Sequence, residues 1–437
     1  MSADNTVKVG VLGCGTVGTQ VVRLLRQIHS DLQARSGANL EISGIAVRDL
    51  DAPRDVSVPR NLLTTDMDAV IDGADLVIEL MGGIEPARTA MLRALKRGAS
   101  VVTGNKAVLA THGPELYEAA AENNTDLYYE AAVAGAVPVV YGLRESLVGD
   151  RITKVLGILN GTTNYILDQM DSQGWSYEQA LKEAQALGFA EADPTADVDG
   201  LDAAAKCAIL ASLAFHTRVN LDEVAVEGIR EITAVDMAEA KRSGKVIKLV
   251  AVAERIPGPN GDAVSVRVAP TLVSLSHPLA TVGGAFNAIV IESENAGRLM
   301  FSGPGAGGAP TASAVLSDVV AAAGHIAHGG NAPRENAYAM LPILPQSQVK
   351  DALQVRMQVT DEPGTLAHIA KIYEKYGVSI AAVSQRLASS TQGTEQATLV
   401  LTTHAAPMHA HEAVLSDLSS ATHAVTLVEN AMRVEGE

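Results

Sequence analysis

Cysteine is nearly absent from this chain of 437 residues: only Cys14 and Cys207 occur, which excludes a disulfide scaffold and fits a reducing compartment. Basic charge is also scarce. The formal net charge is −17 and no block of Lys and Arg is present, so a nucleic-acid partner is excluded. No uninterrupted apolar run reaches the roughly 18 to 20 residues of a membrane span. The opening MSADNTVKVGVLGCG lacks a charged n-region, a long apolar stretch and a cleavage site, so a cytoplasmic protein without a membrane partner is expected. No repeat or low-complexity tract is visible. The length suits two or three domains, each with its own core, and the expected partners are small molecules or other proteins.

Three patterns follow one another along the chain. Up to about residue 150, short β-rich runs (VKVGVLG, LEISGIAV, LVIEL, SVVTG, DLYYEAAV) alternate with helical periodicity, the first helix running from about Val17 to Gln33. Such alternation implies an α/β domain with a parallel sheet covered on both faces. Residues 151–307 place the helices YEQALKEAQALG and LDAAAKCAILASLAF before the strands KVIKLVAVAE, AVSVRVAPTLV and NAIVIESE. That order suggests an α+β domain with an open sheet. The apolar helix in 308–330 is expected to return to the first domain. Residues 331–350, rich in Gly, Pro, Asn and Gln, read as a linker. Residues 351–437 read as βαββαβ, a ferredoxin-like layout. Sheet edges left exposed in the two smaller domains predict a homodimer or homotetramer.

Gly13, Gly15 and Gly18 stand in G-x-G-x-x-G spacing between a strand and a helix. The first allows a tight turn, the second lets a pyrophosphate approach the backbone, and the third lets helix and strand pack closely. The helix start at Thr16 and Val17 favours negative charge. With repeated βα units behind it, the pattern predicts a dinucleotide-binding Rossmann domain. Arg48, at the end of the second strand, favours NADP through a 2′-phosphate contact, while the adjacent Asp49 leaves NAD open. Cys14, inside the fingerprint, and Cys207 read as packing residues.

In GFAEADPTADVDGLDAAAK, Asp202 and Lys206 are four apart and share a helix face. Gly200 or Asp199 is expected to start that helix, leaving Glu191, Asp193 and Asp197 on a loop free to converge above it. Local spacing does not separate this reading from a solvated acidic loop with a surface ion pair. Lys106, in SVVTGNKAVLA, follows a strand of the parallel sheet, where ligands of such sheets bind. Two lysines from different domains meeting at one cleft are expected to depress each other's pKa.

Together GVLGCGTVG, TGNKAVLA, LNGTTNYIL, GFAEADPTADVDGLDAAAK and SGPGAGGAPTASAV resemble the homoserine dehydrogenase family, in the right order from residue 5 to about 330. The block containing DEPGTLAHIAKIYEKYGVSI resembles an ACT domain, as in the long monofunctional form, and the sequence holds no aspartate kinase segment. The resemblance implies interconversion of L-aspartate 4-semialdehyde and L-homoserine with NADPH or NADH, a step toward threonine, methionine and isoleucine. It implies Lys206 as the proton donor and acceptor, with Lys106 as its counterpart beside the cofactor. It also implies substrate binding by Glu191, Asp197, Asp202, Gly188, Gly161 and Thr162. Cofactor contacts are implied at Gly13, Gly15, Thr16, Val17, Gly18, Arg48, Lys106, Gly188, Glu191 and Gly307. A monovalent cation, Na+ or K+, is implied at Glu130 with the carbonyls of Val133, Gly135 and Val137. L-Threonine is the implied effector, at the turn Asp361–Leu366. A different amino-acid dehydrogenase would lack the acidic-lysine block, and a non-enzymatic NADP sensor would not need Lys206.

Overall fold

The computed structural model describes residues 5–54, 58–387 and 396–436, so residues 1–4, on which the reading of a targeting segment bears, lie outside it. β1 (Thr6–Leu12) buries Val7, Val9 and Val11 and leads through the glycine turn into α1 (Thr16–Gln27). The expected single helix then breaks at Ile28 (φ −114°, ψ 27°). A second segment, α2 (His29–Ser36), turns so that Leu32 packs with Leu40 of β2 (Asn39–Ala46). There follow β3 (Leu63–Thr64), α3 (Met67–Asp72), β4 (Leu76–Glu79), α4 (Ala87–Lys96), β5 (Ser100–Thr103), α5 (Lys106–Glu122) and β6 (Leu127–Tyr128). The strands pair in parallel in the order β3-β2-β1-β4-β5-β6. Strand order reverses between β1 and β4, which places the ligand crevice of a doubly wound sheet beyond their carboxyl ends.

The run DLYYEAAV is a strand only over Leu127–Tyr128. At Glu130–Ala132 the chain enters a 3-10 turn, because the Glu130 amide donates to Asp318 (2.9 Å) and its carboxylate turns back to accept from Val140 and Tyr141. The short helix α6 (Val139–Tyr141) begins there.

The central region comprises β7 (Ile152–Ile158), α7 (Gly161–Gln173), α8 (Tyr177–Ala186), α9 (Thr195–Val198), α10 (Leu201–Phe215), β8 (Ala225–Val226), α11 (Ala234–Arg242), β9 (Lys245–Ile256), β10 (Ala263–Ser274), β11 (Phe286–Ser293) and β12 (Gly297–Pro304). α12 (Gly308–His328) then lies on the first domain, where Ala312, Val315, Val319 and Ala322 join Val9, Val21 and Leu25 in one core. After residues 329–349 come β13 (Lys350–Thr360), α13 (Thr365–Lys375), β14 (Ile380–Leu387), β15 (Gln396–Thr403), β16 (Ala406–Pro407), α14 (Met408–Ser420) and β17 (Val425–Glu435).

The second and third regions share one sheet, ordered β12-β11-β7-β9-β10-β17-β13-β15-β14. Pairing at the join is parallel and short, Thr271–Val273 against Arg433–Glu435. One edge of each smaller sheet is therefore covered by the other within the chain, while β12 and β14 stand as the outer edges of the joined sheet. Side chains reinforce the join: Asp351 accepts from Arg267 (2.7 Å) and Arg433 (3.2 Å), and Lys154 meets Glu435 at 2.6 Å. Residues 331–349 hold a single 3-10 turn, Gln346–Gln348, and are pinned, with Arg334 donating to the carbonyls of Ala120 and Thr125 and the Leu344 amide to Val264.

Arg267 and Asp351 are both buried, so removing the carboxylate leaves uncompensated charge. Asp351→Ala is expected to lower unfolding free energy by about 3–5 kcal/mol, read by urea denaturation. A change near zero would mean that the two regions cohere without this bridge.

Candidate active site

At the cofactor end, each glycine of the fingerprint has a separate reason. A Cβ at Gly13 (φ +92°) would lie 2.7 Å from the Leu80 carbonyl oxygen, and one at Gly18 would lie 2.2 Å from the Gly13 carbonyl oxygen. Both are close backbone approaches. A Cβ at Gly15 would meet nothing within 4 Å, so the space over the start of α1 is open. No side chain caps α1, whose first amides, at Thr16 and Val17, are left unpaired by the helix itself. The Gly13 amide donates to the Ala46 carbonyl (2.9 Å), joining the turn to the end of β2, and exposed Arg48 stands two residues beyond. These residues fit a dinucleotide pyrophosphate.

The glycine-rich loop 302–308 ties this end to the rest of the cleft. Gly307 (φ +111°) starts α12, and a Cβ at Gly308 would lie 3.0 Å from the Thr16 carbonyl oxygen. One at Gly305 would overlap the Asn287 amide, and one at Gly135 would lie 2.6 Å from the Gly305 carbonyl oxygen. Fingerprint, candidate cation turn and central domain thus meet along one loop.

Lys106 opens α5, and Asn105 caps that helix by accepting from the Val108 amide (3.3 Å). The Asn105 amide also donates to the Gly83 carbonyl (2.8 Å), holding the loop beyond β4. Beneath it, Glu79 is fully buried and accepts from Thr103 (2.7 Å) and the Met81 amide (2.7 Å). Burial raises its pKa despite those bonds.

The acids and lysines converge as the helix spacing suggested, but the geometry is tighter. Lys206, 9% exposed, donates to Asp202 (2.7 Å) and to the Leu159 carbonyl (2.7 Å). The other oxygen of Asp202 meets Lys106 at 3.0 Å, so one carboxylate joins two lysines from two domains. Asn160, at the cap of α7, donates to Asp197 (2.7 Å) and Asp202 (3.0 Å). Burial opposes ionisation of Asp202, but Lys206, Lys106 and Asn160 together hold its pKa well below the usual carboxylate range. The Lys106 pKa is raised, chiefly by the charge of Asp202 against the opposing effect of burial. The expected mutual depression of the lysines is therefore overturned for Lys106: the shared carboxylate lies between the two cations and outweighs their repulsion. Burial, with the nearby Asp202 charge, raises the Asp197 pKa, while Asn160 pulls it down.

Other acids of the segment go elsewhere. Asp197 lies on α9 rather than a loop, Asp193 accepts locally from the Thr195 amide (3.1 Å), and Asp199 pairs with Arg230. Glu191 is exposed, and its backbone carbonyl takes the Gln185 amide (3.0 Å). Gly188 (φ +75°) lies in the same turn, which Thr162 anchors by donating to the Phe189 carbonyl (2.7 Å). Gly161 begins α7 where a Cβ would lie 2.6 Å from the Ala285 carbonyl oxygen. Gly200 (φ +81°) starts α10, as expected. Cys207 and Cys14 are buried and unpaired.

Asn160 and Asn287 escaped the sequence reading. Asn287 donates to the same Leu159 carbonyl that holds Lys206 (3.0 Å). Asn160 before G-T-T carries an N-cap signal, yet its reach to residues 197 and 202 has none.

At the candidate cation turn, Glu130 is buried, and burial pushes its pKa up to about 7. Among the described residues no Lys or Arg lies within ion-pair distance of it. Ala134 and Gly135 both have φ +57°, turning the backbone sharply, and the Val137 carbonyl accepts from the Val139 amide (2.8 Å). A buried carboxylate beside turned carbonyls is chemistry that fits a hard monovalent cation.

Residues 13–130 match the family model of the homoserine dehydrogenase NAD-binding domain, and residues 138–320 that of homoserine dehydrogenase. A homoserine dehydrogenase of Corynebacterium glutamicum is 49% identical over 99% of this chain and 96% of its own, and one of Bacillus subtilis is 41% identical over 98% of each. The crystal structure of a homoserine dehydrogenase from Thiobacillus denitrificans superposes with a TM-score of 0.90 at 36% identity, covering 98% of both chains. A hyperthermophilic archaeal homoserine dehydrogenase mutant in complex with NADPH covers 72% of this chain and 97% of its own, at 28% identity and a TM-score of 0.60. A cleft that pairs a dinucleotide fingerprint with two lysines on one aspartate agrees with these matches, and the chain belongs to the homoserine dehydrogenase family, NAD(P)-dependent oxidoreductases acting on a CH–OH group.

Proposed function

We propose that Lys206 donates a proton to the aldehyde oxygen of L-aspartate 4-semialdehyde during reduction, and takes it back when L-homoserine is oxidised. One observation carries this reading. An ammonium has three N–H groups; Lys206 directs one to Asp202 and one to the Leu159 carbonyl, leaving the third for a substrate oxygen. A nicotinamide dinucleotide bound along the fingerprint supplies the hydride. As negative charge grows on the aldehyde oxygen, Lys206 neutralises it. Asp202 keeps Lys206 aimed and holds Lys106 at the cofactor side. Asp197 and Glu191 take the substrate ammonium, and the backbone at Gly188, Gly161 and Thr162 closes the pocket. Gly188 and Glu191 also face the cofactor, as do Gly13, Gly15, Thr16, Val17, Gly18 and Gly307.

NADP is the proposed cofactor, with NAD as the alternative that Asp49 supports. Arg48 is exposed at the end of β2 and free to meet a 2′-phosphate. Arg48→Ala is expected to raise KM for NADP by about tenfold or more, the loss of one charge-assisted contact, with little effect on KM for NAD. Equal effects on the two would remove Arg48 from cofactor selection.

Na+ or K+ is assigned to Glu130 with the carbonyls of Val133, Gly135 and Val137, supported by the buried carboxylate there. The C-terminal βαββαβ region is read as an ACT domain that binds L-threonine at Asp361–Leu366. Support comes from Gly364 (φ +101°), which starts α13 without a side-chain cap. A homodimer or homotetramer in the cytoplasm completes the reading, and the two unpaired buried cysteines agree with a reducing compartment. Initial rates with homoserine test these parts together, with NADP and NAD in parallel, with and without threonine, and in NaCl, KCl or choline chloride. Rates indifferent to threonine would refute the effector, and rates equal in all three salts the cation.

A further inference from the structure

α5, the end of α10 and the strap 332–337 line a cavity of about 340 Å³ that contains none of Lys106, Asp202 or Lys206. Its volume lies at the lower end for small-molecule sites. Tyr117 and Tyr129, with ring centroids 5.9 Å apart, line it, together with Arg144, His216, Arg334 and Glu335.

The charges in this cavity do not balance. Glu335 is taken by Arg218 at 2.8 Å. Among the described residues neither Arg144 nor Arg334 has a carboxylate partner. Arg334 directs its N–H groups to the carbonyls of Ala120 and Thr125 and to the Asn124 side chain. Arg144 lies over the rings of Tyr128 (5.6 Å) and Tyr129 (5.1 Å), and one of its N–H groups donates to the Pro333 carbonyl. It projects from a single π-helical turn, Gly142–Ser146, a local distortion frequent at functional sites. His216, which closes α10 and stacks on Tyr338 (ring centroids 5.1 Å), sits at φ +51°, a conformation uncommon for a side-chain-bearing residue. A planar guanidinium held in place with donors to spare matches a carboxylate, and Tyr117 with Leu127, Leu143 and Leu213, which also line the cavity, matches an apolar body.

We propose that this cavity is a second ligand site, for a small aromatic carboxylate, with Arg144 as its anion contact. Its place in the fold gives it a route to the chemistry. α5, kinked at His112 (φ −134°, ψ 15°), carries Lys106 in its first turn and Tyr117 beyond the kink, while α10 carries Asp202 and Lys206 early and delivers His216 at its close. A ligand between the far ends of these helices bears on the same pair whose near ends the Lys106–Asp202 contact joins.

Ligand-observed NMR on the full chain, with benzoate as probe and benzamide as its neutral counterpart, tests the site without turnover. Benzoate is expected to bind, benzamide at least about tenfold more weakly, and Arg144→Gln to weaken benzoate by a similar factor. Ala120→Phe, which fills the cavity from α5 and leaves Arg144 in place, is expected to abolish binding and serves if Arg144→Gln fails to fold. Saturating homoserine and NADPH are expected not to compete. The proposal is overturned by no benzoate binding up to about 10 mM, by equal binding of benzoate and benzamide, by unchanged binding in both variants, or by competition with homoserine.

Discussion

Lys206→Ala is expected to lower kcat by about 10²–10⁴-fold, the span that a positioned proton donor contributes, while NADPH binding stays near the unsubstituted value. The separation follows from geometry. Lys206 reaches the cleft from α10 and contacts Asp202 and the Leu159 carbonyl, whereas the fingerprint at Gly13, Gly15 and Gly18 belongs to the β1–α1 turn of another domain. The truncation leaves Leu159 with its Asn287 partner and Asp202 with Lys106, so neither carbonyl nor carboxylate is stranded. Lys206→Arg is expected not to rescue turnover, since a guanidinium stays protonated throughout the working range and cannot give its proton up. The paired readouts are steady-state homoserine oxidation and NADPH fluorescence titration. Turnover within tenfold of the parent would eliminate Lys206 as the donor.

Asp202→Asn attacks the bridge itself and is expected to cost at least about 10² in kcat/KM, because a buried lysine loses its counter-charge and its orientation together. The substitution also has a pH signature. Lys106 has a raised folded-state pKa, so its contribution is fully present below the ordinary lysine value and is lost only as pH rises through the raised one. Asp202 has a lowered pKa, so its contribution is present above the ordinary aspartate value and is lost as pH falls through the lowered one. The bridge is therefore intact across the whole range between. The unsubstituted chain is expected to show no basic loss from Lys106 below the ordinary lysine range. In Asp202→Asn that loss moves to lower pH, because burial then acts on Lys106 without the opposing carboxylate. A pH profile of kcat/KM that differs in height but not in position would argue against an electrostatic bridge.

Much of the cleft was legible because its signals are local. Gly13, Gly15 and Gly18 announce a turn between adjacent elements, and Asp202 and Lys206 share a face through one helical repeat. Where sequence reading went astray, distant partners decided the outcome. Five acids precede Lys206, but Glu191 stands exposed, Asp193 is drawn to its own turn and Asp199 to Arg230, leaving Asp197 and Asp202 on Asn160. The mutual depression expected of the lysines fails at Lys106 for the same reason: the position of Asp202 between them follows from how two domains meet. The joining of the two smaller sheets was likewise decided at a distance, by three residues of β10 pairing with the last strand.

The alternation of strands and helices in the first domain, the dinucleotide fingerprint, the acidic-lysine helix and the family were determined by the sequence alone, since hydrophobic period, glycine spacing and helix repeat act between near neighbours; the strand β7 that opens the central region before its helices was not. Tertiary structure alone decided that one carboxylate serves both lysines, that Asn160 spans 37 and 42 residues to orient two acids, and that the C-terminal strands extend the central sheet. The physical reason is that hydrogen bonds and ion pairs depend on distances of about 3 Å, and for residues far apart in the chain only the packing of whole elements sets those distances.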